Sequence, residues 1–174
     1  MSMTTAAIEQ PAPAAVSDAE RREVTDFIYR EARLADESRY NDWEALWTDD
    51  AVYWVPRADG HDPATHVSHL FDNRTRIATR VRQLCTGYRY SQEPVSPLRR
   101  LISNVEISRI DDGYEAGSNF MLMEMVAQST HEMRIWAGRT THRLRHVDGE
   151  LRLAYKKVVL VNGDEAIPNL AFLI

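Results

Sequence analysis

The densest group of metal-ligating residue types lies between residues 61 and 72. It comprises three histidines and two aspartates: His61, Asp62, His66, His69 and Asp72. Two histidines and one carboxylate are the ligand set of a non-haem iron site. His66 and His69, however, are three residues apart and would share a face only on a helix, whereas this segment has no helical pattern. We therefore interpret the group as loop and strand-edge side chains.

Acid–base chemistry would require a different set of side chains, namely Asp36, Tyr40 and Tyr53, with Asp50 beside them. These residues lie on a helix–corner–strand unit and could face a cone-shaped pocket, in which burial would raise the pKa of a carboxyl group. Each also has a structural interpretation as a cap, a turn residue or a hydrogen-bonded core tyrosine, which we favour. Cys85 lies beside the inward row of its helix, so we expect a buried structural thiol rather than a nucleophile.

A basic ladder is predicted on the strand that covers residues 133–147. Arg139, Arg143 and Arg145 share one face of this strand. They could bind an acidic substrate, but arginines in sheets more often pair with carboxylates across the sheet or across a subunit interface. Glu124, on the neighbouring strand, is a possible partner.

The first two elements follow from local signals. Residues 1–16 are rich in Ala and Pro and are predicted to form a flexible arm. Ser17 and Glu20 form a capping box, which predicts a helix from there to about Ser38. The apolar face of this helix carries one charged residue, Glu31.

The next segment predicts a corner, a short helix and a strand. Asn41 or Asp42 would cap the second helix, whose apolar row extends to Trp47. Asp49-Asp50 favours a turn or helix stop, and residues 51–55 have the β-branched and aromatic composition of a strand.

The remainder predicts one more helix and then a sheet. Residues 66–71 favour a short strand, and Asp72 would cap a third helix over residues 73–85 with Ile77, Val81 and Leu84 inward. Four long strands follow, over residues 99–110, 114–130, 133–147 and 150–162. We therefore predict an α+β fold with a single domain over residues 17–174.

The second of these long strands carries methionines on one face. In strand 114–130 one face is apolar through Phe120, Leu122 and Val126, and the other through Met121, Met123 and Met125. A sheet with one wet face alternates apolar and polar residues instead. The helices can cover one face; another subunit, or a sheet curled on itself, can cover the other.

Composition excludes several classes of function. A net charge of −5 disfavours nucleic acid and anionic membranes as main partners, since both attract basic surfaces. A single cysteine rules out an intrachain disulfide, a thiolate zinc site and a Cys-ligated cluster, and it fits a reducing cytoplasm. No apolar stretch approaches the ~18 residues of a membrane span.

Several blocks of the sequence resemble one known family. They are FIYREARLADESRYNDWEALWTDDAVYWVP, SHLFDNRTRIATRVRQLCTG, RRLISNV, WAGRTTHRLR and LRLAYKKVVLVNGDEAIPNLAFLI. Together they resemble the small (β) subunit of bacterial aromatic-ring-hydroxylating dioxygenases, from about Glu20 to Ile174, and within that family the branch acting on benzoate-like acids. Pro97 departs from the pattern, where a basic residue is expected.

The resemblance implies a nuclear-transport-factor-like or cystatin-like cone, with three N-terminal helices packed on a curved antiparallel sheet. It also implies a non-catalytic structural subunit that assembles with large (α) subunits and other β subunits, as α3β3, and is served indirectly by a reductase or ferredoxin. The Rieske [2Fe–2S] cluster and the mononuclear Fe(II) would belong to the large subunit. The arginine ladder and the methionine face would then be interface candidates.

A second interpretation remains open on the same fold. The chain could be a stand-alone isomerase, dehydratase or cyclase whose pocket uses Asp36, Tyr40 and Tyr53. Fold alone is weak support for such an activity. The two interpretations differ in whether the cone is open to ligands or filled by its own side chains, and four tryptophans favour a filled cone.

Overall fold

The computed structural model describes residues 15–86, 94–127 and 130–174. The flexible arm predicted for residues 1–16 lies almost entirely outside the described residues, so it stays a prediction. Within the described residues, none of the helices combines the length and the apolar character that crossing a membrane requires.

The first helix begins at the predicted capping box. α1 spans Asp18–Asp36, and the Ser17 hydroxyl accepts from the backbone N–H of Glu20. The Glu20 carboxylate in turn accepts from the backbone N–H of Ser17 at 2.9 Å. The helix ends two residues earlier than predicted, and Ser38 takes a left-handed conformation with φ of 57°.

The second helix starts earlier than predicted. α2 spans Tyr40–Glu44 and its N-cap is Arg39, which makes no side-chain capping bond. The prediction that Asn41 or Asp42 caps this helix is therefore wrong. Ser38 turns the chain at once, and the Asp42 carboxylate instead forms an ion pair with Arg39 at 2.6 Å.

The first strand is longer than predicted. β1 spans Trp47–Pro56, so Trp47 belongs to the strand, and the turn predicted at Asp49-Asp50 is wrong. The strand pairs in parallel with β6 (Glu150–Leu160), and a register shift between Trp47 and Val52 accommodates the two aspartates. Pairing with a distant strand thus overrides the local turn preference.

The third helix is displaced by one residue from its predicted start. β2 spans Ser68–Asn73 and α3 spans Arg74–Cys85. Asn73 is the N-cap, and its side chain accepts from the backbone N–H of Arg76, so the prediction of Asp72 as the cap is wrong. Asp72 is buried and accepts from Arg80 Nε at 2.8 Å.

One side of α3 packs inward and the other is open to solvent. Ile77, Val81 and Leu84 are buried, as predicted. Cys85, in contrast, is exposed, and the prediction of a buried thiol is wrong. It follows the inward Leu84, and each helical step rotates the side chain by about 100°, which directs Cys85 away from the core.

The long strands form a meander. Their bounds are β3 Leu98–Ile110, β4 Gly113–Met125, β5 Met133–Val147 and β6 Glu150–Leu160. With the two earlier strands they give a six-stranded sheet in the order β2-β1-β6-β5-β4-β3. Asp148 and Gly149 both have positive φ, as a two-residue type I′ hairpin between β5 and β6 requires.

The helices lie against one face of the sheet, which we call the inner face. α1 contacts β3, α3 contacts β1 and β2, and α2 joins the two longer helices. Trp43, Trp47 and Tyr53 form an aromatic cluster at this junction, with ring centroids 5.0 to 5.9 Å apart. The predicted α+β cone is confirmed.

Candidate functional site: the inner and outer faces of the sheet

The inner face encloses a charged cluster around Glu31. This carboxylate accepts from Trp43 Nε1 at 2.5 Å and from Lys156 Nζ at 2.9 Å. His142 Nε2 lies 3.8 Å from its other oxygen. Glu31, His142 and Lys156 are each 2% exposed. The cluster ties α1 and α2 to strands β5 and β6 in the middle of an apolar core.

Electrostatics within the cluster favour an ionised carboxylate. Burial alone would raise the pKa of Glu31, but the Lys156 ammonium, His142 and Arg100 together lower it below its usual range. Burial lowers the pKa of His142, which is therefore neutral at pH 7. Glu31 and Lys156 thus form a buried ion pair whose groups are shielded from solvent, an arrangement that orients elements rather than one that meets a substrate.

The residues proposed for acid–base chemistry are held in separate contacts. Asp36 accepts from Arg100 Nε at 2.7 Å and from the Arg100 backbone N–H at 2.8 Å, and both of these side chains are buried. The Tyr40 hydroxyl donates to Ser38 Oγ at 2.9 Å. Each group has a structural partner.

The Tyr53 hydroxyl is also held by hydrogen bonds within the chain. It donates to the main-chain oxygen of Ile174 at 2.6 Å and accepts from the Ile174 N–H at 3.1 Å. Burial raises the pKa of Tyr53 above its usual range, so the phenol stays protonated. Asp50 lies elsewhere, in an ion pair with Arg145 on the opposite face of the sheet. The acid–base candidates therefore do not converge on one reacting position.

The histidine-rich segment also divides among separate contacts. The rings of His61 and His66 stack with centroids 4.4 Å apart, and His69 Nε2 lies 2.6 Å from the Gly163 carbonyl oxygen. Asp72 is paired with Arg80. In the part of the chain that the structure describes, no group of three or more His, Cys, Asp or Glu side chains could hold a metal ion.

The opposite, outer face of the sheet has a charged half. There the three arginines of the ladder all find carboxylates within the chain: Arg139 with Glu106, Arg143 with Glu115, and Arg145 with Asp50 and Asp112. These pairs run across the sheet, which is one of the two arrangements expected for such a ladder.

Glu124 does not take part in this ladder, and its prediction as a partner is wrong. It lies on the inner face, where it accepts from Trp136 Nε1 at 2.9 Å and pairs with Arg134 at 3.6 Å. In the observed register Glu124 faces Arg134 across the strands. Because side chains alternate between faces, the odd-numbered arginines of β5 face odd-numbered residues of β4.

The other half of the outer face is mainly apolar, and we call it the apolar patch; it also contains the exposed Arg99, which lies opposite Met123. Across β3, β4 and β5, Leu101 lies opposite Met121, Met123 opposite Ile135, and Met125 opposite Met133. Leu101 is 62% exposed and Ile135 is 60% exposed. The methionine side of the patch continues into a concave recess of about 730 Å³. Its apolar lining includes Met123, Met125 and Met133, and its charged lining consists of Asp36, Glu37 and Arg99.

The sequence indicated only part of the apolar patch and only part of the charged cluster around Glu31. The methionine alternation identified one strand of the apolar patch, but Leu101, Ile135 and Met133 were missed because their alignment depends on the strand register. Glu31 stood out as a charge on an apolar helix face, whereas its partners Lys156 and His142 lie more than 100 residues away.

The apolar patch exposes several large apolar side chains side by side. Monomeric proteins rarely expose contiguous apolar area of this kind without a partner. Methionine side chains are flexible and polarisable, and they adapt to the surface that they contact.

Comparison with known proteins agrees with this geometry. The family described as ring hydroxylating beta subunit matches residues 30–164. The small oxygenase component of the p-cumate 2,3-dioxygenase system of Pseudomonas putida is 33% identical over 144 residues, which cover 80% of this chain and 78% of that protein.

Solved structures show the same fold. The beta subunit of the benzoate 1,2-dioxygenase from Burkholderia mallei superimposes with a TM-score of 0.71 at 22% identity, covering 92% of this chain and 99% of that one. A chain of naphthalene 1,2-dioxygenase with indole bound in its active site gives a TM-score of 0.74 at 16% identity, with 92% and 88% covered. The chain belongs to the family of ring-hydroxylating dioxygenase beta subunits.

Proposed function

We propose that this chain is the non-catalytic small (β) subunit of a multicomponent aromatic-ring-hydroxylating dioxygenase. The family match over residues 30–164 carries the proposal. In this role the chain assembles in the cytoplasm with an iron-containing large (α) subunit, as an α3β3 hexamer. A reductase or ferredoxin supplies electrons to the large subunit and serves this chain only indirectly.

The residues of the chain support a structural role rather than a catalytic one. A Rieske [2Fe–2S] centre takes two cysteines and two histidines, and the chain has one cysteine. Its donor set therefore does not fit that cluster, which we assign, with the mononuclear Fe(II), to the large subunit. Asp36, Tyr40 and Tyr53 are held in separate contacts.

We place the contact with the large subunit on the apolar patch. Met121, Met123 and Met125 lie in it, and their exposed neighbours Leu101 and Ile135 extend it across three strands. The buried centre of a protein interface is more apolar than its rim, and methionine is among the residues enriched in interfaces.

The charged half is proposed as the border of the same interface. Arg139, Arg143 and Arg145 are already paired with carboxylates of their own chain. Such half-exposed pairs contribute little affinity, so we assign them to the rim and the methionines to the centre.

The substrate of the complex is proposed to be an aromatic acid. The p-cumate relative, which is 33% identical to this chain, is named for an aromatic carboxylate. The choice of substrate is assigned to the large subunit, because the cone of this chain is occupied by its own residues.

The test is reconstitution with the large subunit encoded beside this chain, recognised by its Cys-x-His and Cys-x-x-His spacings. The co-expressed proteins are expected to purify as one complex that shows the absorbance of a [2Fe–2S] cluster, whereas this chain alone is colourless and inactive. Iron bound by the isolated chain, or hydroxylation of an aromatic acid without a partner, would overturn the proposal.

A further inference from the structure

The last three residues lie inside the cone. Phe172 is 3% exposed, Leu173 is 0% and Ile174 is 2%. They end a segment that begins at residue 161 after β6 and forms no helix or strand of its own. Such segments normally run over the surface, because buried backbone groups need hydrogen-bond partners.

The cone supplies those partners from two buried side chains. The Tyr53 hydroxyl donates to the main-chain oxygen of Ile174 at 2.6 Å, and Arg100 Nη2 donates to the Leu173 carbonyl at 2.7 Å. The Ile174 N–H donates back to the Tyr53 oxygen at 3.1 Å. Asp36 holds the Arg100 guanidinium from the other side at 2.7 Å. The two donors are thus fixed in position around the chain they bind.

Apolar contacts complete the recess. The Phe172 ring meets the Trp136 ring edge to face, with centroids 5.5 Å apart and planes inclined at 74°. Leu173 and Ile174 belong to the same core cluster as Tyr53 and Trp136. An apolar recess with a few convergent polar groups has the composition of a small-molecule binding site.

We propose that residues 172–174 are a built-in ligand that occupies the binding recess of the cone. Tyr53 and Arg100 donate hydrogen bonds to its main-chain oxygen atoms, and the ring of Trp136 packs against the ring of Phe172. Once these residues are displaced, the recess accepts an apolar compound that carries a carbonyl or carboxylate oxygen. The inference is separate from the proposed assembly, which uses the outer face of the sheet.

The test weakens the built-in ligand in the full chain and then adds it back as a peptide. The variant carries Phe172→Ser and Leu173→Ser, and the probe is acetyl-Ala-Phe-Leu-Ile, with the reversed peptide acetyl-Ile-Leu-Phe-Ala as its control. Titration is followed by tryptophan fluorescence and calorimetry. We expect the variant to bind the matched peptide at least about tenfold more tightly than the reversed one, and the unmodified chain to bind neither.

Two further substitutions show where the peptide binds. Added to the double-serine variant, Tyr53→Phe is expected to weaken binding of the matched peptide by about tenfold, because it removes the hydroxyl that makes both hydrogen bonds. Tyr155→Phe, at a half-buried tyrosine that faces Arg143, is the control and is expected to leave affinity unchanged.

Every outcome decides the proposal. Equal affinity for both peptides, no binding by a folded variant, or no effect of Tyr53→Phe contradicts it. If the double-serine variant does not fold alone, cooperative refolding with the matched peptide only supports it, and no refolding with either peptide counts against it. None of these measurements involves the large subunit, so they can fail while assembly succeeds.

Discussion

The buried ion pair between Glu31 and Lys156 offers the sharpest test of the described core. The substitution Lys156→Met keeps most of the side-chain volume but removes the ammonium that lies 2.9 Å from Glu31. The carboxylate would then retain Trp43 Nε1 as a donor and a neutral His142 beside it. Removing one partner of a buried pair leaves an uncompensated charge, so we expect a loss of about 3–5 kcal/mol in the free energy of unfolding.

The double variant separates the ion pair from the packing around it. Glu31→Gln removes the charge but retains an oxygen that can accept from Trp43. We expect Glu31→Gln with Lys156→Met to be more stable than Lys156→Met alone, since no buried charge is left without a partner. Arg143→Met, which breaks an exposed pair with Glu115, is the control and should cost less than about 1 kcal/mol.

Urea denaturation followed by tryptophan fluorescence measures these differences. Because small domains are stable by only about 5–15 kcal/mol, the expected loss for Lys156→Met is a large shift of the midpoint. The reasoning is refuted if Lys156→Met costs no more than Arg143→Met, or if the double variant is no more stable than Lys156→Met alone.

Three further predictions concern the backbone at Gly138, the pH dependence of stability due to Glu20, and the reactivity of the Cys85 thiol. Gly138→Ala places a Cβ 2.1 Å from the Val159 carbonyl oxygen and is expected to cost about 2 kcal/mol or more, whereas Gly60→Ala meets nothing within 4 Å and should be nearly neutral; equal melting temperatures would contradict this. Hydrogen bonds from Ser17 lower the pKa of Glu20 from 4.5 to about 2, so its stabilisation is present above pH 4.5 and is lost as the pH falls towards 2. Stability curves of Glu20→Gln should be flatter across that window, and an unchanged slope would count against the contact. Exposed Cys85 should react with a thiol reagent in the folded chain as quickly as in urea, and protection in the folded state would show the thiol to be buried.

Local signals in the sequence predicted the parts of the fold that depend on neighbouring residues. The capping box at Ser17 and Glu20 and the inward row of α3 are each determined within a few residues. Periods of 3.6 and 2 residues were therefore enough to give the helices, the long strands and the α+β class.

The errors occur where distant segments meet. Asp49-Asp50 has the composition of a turn, but it lies in a strand because Trp47 on one side and residues 52–54 on the other pair in parallel with β6, about 100 residues later. The position of Glu124 required the register between β4 and β5, which alternation alone does not give.

Dependence on distant segments also explains why the sequence did not reveal the partner of Glu31 or the contacts of residues 172–174. Glu31 was visible as a charge on an apolar helix face, yet Lys156 becomes its partner only when β6 lies beneath α1. Residues 172–174 carry no local signal of a specific contact, because only the fold brings Tyr53 and Arg100 to their main-chain oxygen atoms.

The most direct test of the central claim is the mass, by light scattering, of this chain co-expressed with its large subunit. Ile135→Glu puts a charge in the apolar patch, and Val67→Glu makes the same kind of change at an exposed residue next to β2, at the far edge of the sheet. The account predicts that Ile135→Glu reduces the complex to separate subunits while both variants remain folded, and that Val67→Glu assembles normally. Full assembly of the Ile135→Glu variant would contradict the claim that this face of the sheet binds the large subunit.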